Sequence, residues 1–188
     1  MSVSRIREAF GDASRAPVVT LSSEETPAAV LVPIVDLRDP IVVFTKRTDD
    51  LPRHAGEISF PGGIGHPDDR DPLETALRET EEELGLPRHA VDVLGSLEPL
   101  RTFTTGFVIV PFVGVLREEP HFTPNPAEIS EVLRFPISKL MEAEREVDFS
   151  NDGATYFGFV YEVDGKTIWG ATARILHSLL ELLPKERP

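Results

Sequence analysis

Between Phe60 and Leu86 the chain reads FPGGIGHPDDRDPLETALRETEEELGL, and this stretch limits what the protein can fold into more than any other. Its two halves demand different backbones. Pro61-Gly62-Gly63 is a turn, because adjacent glycines allow conformations and close approaches that side chains forbid. The second half is helical. Asp71 stands where an N-cap is preferred, Pro72 suits the first turn, and Gly85 with Pro87 ends the run near Leu84. On a wheel of about 100° per residue, Leu73, Ala76, Leu77, Thr80 and Leu84 form a core-facing arc. Glu79, Glu82 and Glu83 share the adjoining arc, while Glu74 and Glu81 point to the other flank. The acidic arc therefore sits at the mouth of the core, not on the outer solvent face.

Such crowding is unfavourable by itself. Like charges three or four residues apart each destabilise a helix by a few tenths of a kcal/mol, and partial burial raises their pKa values. A divalent cation removes the conflict, because hard cations prefer oxygen ligands. Glu79 and Glu83, one turn apart, are expected to share one ion. Glu82 is expected to reach a second ion or a bound water, and the Gly63 carbonyl, with no side chain in the way, to approach a metal. Mg²⁺ and Mn²⁺ suit such a site equally. An isolated EEE run would more often be a solvated face. Here the glycine turn, the arginine just before Glu79 and the glycine two residues after Glu83 all stand in register.

The rest of the chain sets the frame. At 188 residues it fits one large domain with a sizeable core. Its formal net charge of −13 argues against binding nucleic acid through phosphate neutralisation. It would also repel a small anion unless cations invert the local field, so a phosphate substrate needs a metal. There are no cysteines and no apolar run near the roughly 18 residues of a membrane span. The N-terminus, MSVSRIREAF, lacks the apolar core of a secretion signal. These features point to a cytoplasmic protein.

Residues 3–11 form a short amphipathic helix, and residues 1–27 together read as that helix and a connecting segment; residues 28–184 read as one domain. Ala28–Val35, Ile41–Lys46, Glu57–Phe60, Val91–Leu100, Phe107–Leu116 and Ile129–Phe135 read as strands. Residues 64–72 and 118–126 read as loops, and Ile137–Glu142 as a short helix. Thr155–Val163 and Lys166–Trp169 flank Asp164-Gly165, a strong hairpin signal. Ala171–Leu183 has apolar residues at helical spacing. The mixture predicts an α/β (α+β) domain with helices on both faces of a mixed sheet.

The register of the acidic helix resembles the Nudix box, G-x5-E-x7-R-E-U-x-E-E-x-G-U with U aliphatic. Arg78, Glu79, Glu82, Glu83, Gly85 and Leu86 match it position for position; Thr80 stands where an aliphatic residue is usual. The first half departs. The Glu expected eight residues before Arg78 is Arg70, and Gly63 lies one residue too far upstream. The longer loop, Asp69 and the run FTKRTDDLPRHAGEISFPGG look like the coenzyme A pyrophosphatase branch, through Thr45, Leu51, His54, Gly56, Phe60, Pro61, Gly62 and Gly63. Thr48 replaces the branch's Ser, and Pro52 stands at its basic position with Arg53 next to it. Segments 102–116 and 168–176 also look like this branch.

The resemblance implies an α/β/α sandwich around a central mixed β-sheet. It also implies metal-dependent hydrolysis of coenzyme A or a derivative to 3′,5′-adenosine bisphosphate and 4′-phosphopantetheine. Other outcomes are a Nudix hydrolase for ADP-ribose, a dinucleotide or a nucleoside triphosphate, or a non-catalytic Nudix-like binding module. Glu79, Glu82, Glu83 and Gly63 would be the metal ligands, with Arg78 orienting a carboxylate of the box. The general base would be Glu82 or, from a later loop, Glu128 or Glu131. Arg47, Arg53 and Arg101 would neutralise substrate phosphate. His54, Phe60 and Thr105 would complete the substrate site, and Trp169 is read as core. The partner is a small molecule, with a homodimer open through either terminal helix.

Overall fold

The computed structural model describes residues 2–11, 20–50, 54–102, 106–151 and 154–183. In chain order these form α1 (Val3–Phe10), β1 (Thr26–Val35), β2 (Ile41–Arg47), β3 (Ile58–Ser59), β4 (Gly62–Ile64), α2 (Pro72–Leu84), β5 (Asp92–Ser96), β6 (Leu100–Arg101), β7 (Phe107–Leu116) and β8 (Ile129–Pro136). There follow α3 (Ile137–Ala143), β9 (Glu144–Asn151), β10 (Ala154–Val163), β11 (Lys166–Ile168) and α4 (Gly170–Glu181).

The main sheet runs β3-β2-β1-β7-β5, with β4 added to β1, β6 to β7 and β8 to β2. It is mixed because β1 and β7 are parallel from Thr26–Phe107 to Val35–Leu116, whereas every other pairing is antiparallel. These two central strands are apolar on both faces, as parallel strands covered on both sides must be. On one face Val32, Ile34, Val113 and Val115 join Val3, Ile6 and Phe10 of α1 and Ile175, Leu176 and Leu179 of α4. On the other, Ala29, Leu31, Val110 and Phe112 pack on Ala76 of α2. Nearby, Leu84 and Leu86 meet Val35, Val43 and Phe122. The expected layering, helices on both faces of a mixed sheet, is what the chain forms.

Helix α2 starts and stops as its sequence dictates. The Asp71 side chain accepts from the Glu74 N–H at 2.9 Å, and Gly85 closes the helix in the left-handed conformation, its N–H donating to the Glu81 carbonyl. The hairpin is also where it was expected: Asp164 and Gly165 both have positive φ between β10 and β11.

Three readings change. Val91–Leu100 is not one strand, because the pairing with β7 shifts between Val93 and Gly95 and regular strand ends at Ser96. Strand β9, EREVDFSN, had no signature: its charged residues have low strand preference, and it is formed by antiparallel pairing with β10. Gly62–Ile64, read as turn and loop, is a short strand on β1. The amphipathic helix expected near the N-terminus is α1: Val3, Ile6 and Phe10 are buried in the main core cluster and Arg7 pairs with Asp92 at 2.8 Å. Among the described residues no helix is long and apolar enough to cross a membrane.

Candidate active site

The glycine pair of β4 is wedged between β1 and α2. Gly62 has φ 150°, and a Cβ there would lie 2.3 Å from the Ala29 carbonyl oxygen. A Cβ on Gly63 would lie 2.5 Å from the carboxyl carbon of Glu79. The backbone thus approaches the acidic helix as closely as atoms allow, which only glycine permits. One result is that the Gly62 N–H donates to Glu83 Oε2 at 3.2 Å.

The three glutamates of the acidic arc are not equivalent. Glu83 is buried at 4% exposure, Glu79 keeps 21% and Glu82 keeps 59%. Burial pushes the Glu83 carboxyl up to about 8. The Gly62 N–H and the Arg47 guanidinium, whose Nη1 lies 3.8 Å from Glu83 Oε1, hold it down in part, while the neighbouring charges of Glu79 and Glu128 raise it further. On the other flank, Glu74 and Glu81 are both bonded by Arg88, at 3.3 and 3.1 Å.

Arg78 organises the arc. Its Nε and Nη2 donate to the two carboxylate oxygens of Asp69, each at 3.0 Å, and its Nη1 donates to Glu79 Oε1 at 2.8 Å and Glu82 Oε2 at 3.2 Å. The paired bonds to Asp69 have the fork geometry that makes arginine–carboxylate contacts strong. Asp69 also accepts from Thr75 Oγ1 and the His66 N–H, and Arg78 above all holds its carboxyl well below the usual carboxylate range. Arg70, where the box pattern expects an acid, instead bonds Glu74 in solvent. The longer loop moves the acidic partner of Arg78 one residue back along the chain.

Among the described residues no three acidic or histidine side chains converge into a ready-made metal cage. Glu79 and Glu83, expected to share one ion, have different partners within the chain. Arg78 draws Glu79 and Glu82 to itself, whereas Glu83 turns to Gly62. The donor set nevertheless fits a hard dication. It offers oxygen donors only, and its buried member, reluctant to ionise alone, would be relieved by positive charge.

The remaining sequence-derived residues divide. Arg47 reaches Glu83, and among the described residues its buried Nε has no hydrogen-bond partner; Thr48 Oγ1 is in the same condition. Glu128 is close enough to Glu83 to shift its ionisation. Glu131 is not at the site. It shares one face of β8 with core residues Leu133 and Phe135, the face opposite α2, and pairs with Lys166 of β11. Phe60 is not a substrate surface, because it is buried and stacked on Phe44 with ring centroids 4.7 Å apart. Arg101 is occupied by protein acceptors, Glu25 at 2.7 Å and the Thr20 carbonyl at 3.1 Å. His54, at φ 56°, is half exposed and bonds Glu57 at 2.8 Å. Arg53 and Thr105 lie outside the described residues. Trp169, read as core, is half exposed at the N-cap of α4.

Sequence reasoning missed Asn125. Its N–H donates to the Glu83 carbonyl at 2.9 Å and its side chain to Glu128 at 3.2 Å. The only signal was an Asn-Pro turn dipeptide.

Comparison with known proteins places these features. The family description "NUDIX domain" matches residues 25–155. The uncharacterized Nudix hydrolase NudL of Photorhabdus laumondii is 36% identical over 167 residues, covering 88% of this chain and 89% of its own. A NUDIX hydrolase from Alicyclobacillus acidocaldarius superposes with a TM-score of 0.54 at 21% identity, over 66% of this chain and 83% of that one. The NUDIX domain of Shewanella oneidensis NrtR, solved with ADP ribose, gives 0.52 at 16% identity, over 64% and 79%.

Proposed function

We propose, on the premise that the chain belongs to the Nudix family and is one of its hydrolases, that it hydrolyses the diphosphate of coenzyme A or a derivative in the cytoplasm. Its action on a nucleoside diphosphate derivative follows from the family; the coenzyme A part is the finer reading. The observation that carries the reaction is the buried Glu83 beside Glu79, set against a glycine turn that leaves no room for a side chain. The substrate reading is supported by the upstream run, Thr45, His54, Gly56, Phe60, Pro61, Gly62 and Gly63. The unpartnered Arg47 Nε supports it too.

Glu79, Glu82, Glu83 and the Gly63 carbonyl would hold Mg²⁺ or Mn²⁺. Bound there, such an ion neutralises developing phosphate charge and acidifies water. The chain's own groups do the rest. Arg78, fixed by Asp69, holds Glu79 and Glu82 in place. The Arg47 guanidinium, with Nε–H unused, is a ready donor for a phosphate oxygen. Glu128, partly buried beside Glu83, is better placed than the outward Glu82 to take the proton from attacking water. Water oxygen then bonds one phosphorus as the bridging P–O bond breaks, giving 3′,5′-adenosine bisphosphate and 4′-phosphopantetheine from coenzyme A. Positioning and electrostatics supply nearly all the catalysis in such transfers.

The test is a panel of coenzyme A, acetyl-coenzyme A, ADP-ribose and diadenosine tetraphosphate, each with Mg²⁺ or Mn²⁺. Release of 3′,5′-adenosine bisphosphate supports the reading. Cleavage of ADP-ribose with coenzyme A untouched moves the substrate elsewhere in the family.

Glu83 also predicts how metal-free stability depends on pH. Its folded pKa, about 8, lies above its ordinary 4.5, so its contribution is full below about pH 4.5 and is lost as pH rises through 8. At 1.36 kcal/mol per unit, the loss is on the order of 2–4 kcal/mol after discounting for relaxation. Urea unfolding in a chelator is expected to show this decline between pH 5 and pH 9, and Glu83→Gln to flatten it. A slope that Glu83→Gln leaves unchanged would place the effect on another group.

A further inference from the structure

Resting on the reading of Glu128 as the base, we infer that Asn125 is a positioning residue that ties the base to the metal-binding helix. The loop carrying Glu128 is docked on the open end of α2. The last carbonyls of a helix lack partners within it. Here the Leu84 carbonyl accepts from the Thr123 N–H at 2.8 Å and the Glu83 carbonyl from the Asn125 N–H at 2.9 Å. Gly85 makes the docking possible: a Cβ there would lie 3.1 Å from Thr123 Cβ and 3.2 Å from its carbonyl oxygen.

Asn125 then uses every polar atom it has. Its carbonyl accepts from the N–H groups of Glu128 at 3.1 Å and Ile129 at 2.8 Å, which sets where β8 begins. Its side-chain Oδ1 accepts from the Ala127 N–H at 3.1 Å, closing an Asx turn. Its Nδ2 donates to Glu128 Oε1 at 3.2 Å. The backbone of Glu83 and the carboxylate of Glu128 are therefore joined through one residue. Movement of α2 carries both acids together, and the distance from base to ligand does not depend on the exposed part of the loop. A further bond, Thr48 N–H to the Glu128 carbonyl at 2.9 Å, anchors the other side of Glu128 to the residue next to Arg47.

The discriminating variant is Asn125→Asp. It keeps Oδ1 for the Ala127 N–H and all the backbone bonds, but it replaces the donor to Glu128 with a repelling oxygen. The probe is coenzyme A or ADP-ribose, whichever the wild-type chain hydrolyses faster. Asn125→Asp is expected to lower kcat about 10–100-fold, the scale of a misplacement near 1 Å, with KM within about threefold and the thermal midpoint nearly unchanged. Glu128→Gln should lose about 100-fold or more. The double variant should be no slower than Glu128→Gln, because both changes break one link. If Glu128→Gln is crippled while Asn125→Asp is unimpaired, or if the two losses multiply, the inference fails and the reading of Glu128 survives. If Glu128→Gln turns over like wild type, both fail.

Discussion

Glu83→Gln is expected to reduce hydrolysis more than any other conservative change in the chain. The amide keeps the size and shape of the carboxyl and can still accept from the Gly62 N–H, so the turn and helix stay as they are. What disappears is the ability of a carboxyl buried at 4% exposure beside Arg47 to ionise when a cation binds. Losing a residue that merely supports a metal ligand costs about 10–100-fold in affinity or activity; losing a charged ligand should exceed that. Turnover at millimolar Mg²⁺ should fall by more than about a hundredfold, and the Mg²⁺ concentration for half-maximal rate should rise. Glu82→Gln, at 59% exposure and already bound to Arg78, should lose less. Equal losses in the two variants would show that burial does not grade the arc, and full activity of Glu83→Gln would move the site elsewhere.

The largest effect on stability is expected from Gly62→Ala. The added methyl would meet the Ala29 carbonyl at 2.3 Å and Val30 Cα at 2.6 Å, both backbone of the central strand β1. Neither can give way without opening the sheet, and φ 150° is a conformation that L side chains rarely adopt. Overpacking and backbone strain together should cost about 3–5 kcal/mol. For a chain of this size that lowers the thermal midpoint by roughly 6–20 °C. Gly165→Ala is the control. It too has positive φ, 72°, but nothing lies within 4 Å, so only the conformational term of about 1–2 kcal/mol remains. If the two variants melt together, the close approach of β4 to β1 is not what demands glycine.

These two positions show different degrees of legibility. The glycine pair was visible in the sequence; that β1 lies against Gly62 and leaves no room for a side chain was not. The helix wheel put Glu79, Glu82 and Glu83 on one arc and was right about the arc; it said nothing of their unequal burial, which depends on how β1 and β4 cover that end of the helix. Arg78 was expected to orient a box carboxylate, and it does reach Glu79 and Glu82. Its main partner, Asp69, comes from a loop whose extra residue shifts the pattern. Glu128 and Glu131 were indistinguishable as two acids in NPAEISEV. Strand alternation sent Glu131 to the opposite face, while the Asn125 turn held Glu128 near Glu83. Phe60 lies in a sequence run that resembles a binding motif, but its ring stacks on Phe44 in the core.

By itself the sequence determined whatever is settled within three or four residues: the caps of α2, its apolar and acidic arcs, the Asp164-Gly165 hairpin and the central β1 and β7 strands. Tertiary structure alone decided which glutamate is buried, which acid clamps Arg78, which later glutamate faces the site, and that β9 is a strand at all. The reason is physical. Caps, turns and periodicity arise from interactions between near neighbours along the chain. Burial, ionisation and hydrogen-bond partnership are set by groups that only the packing of β1, α2 and the Asn125 loop brings together.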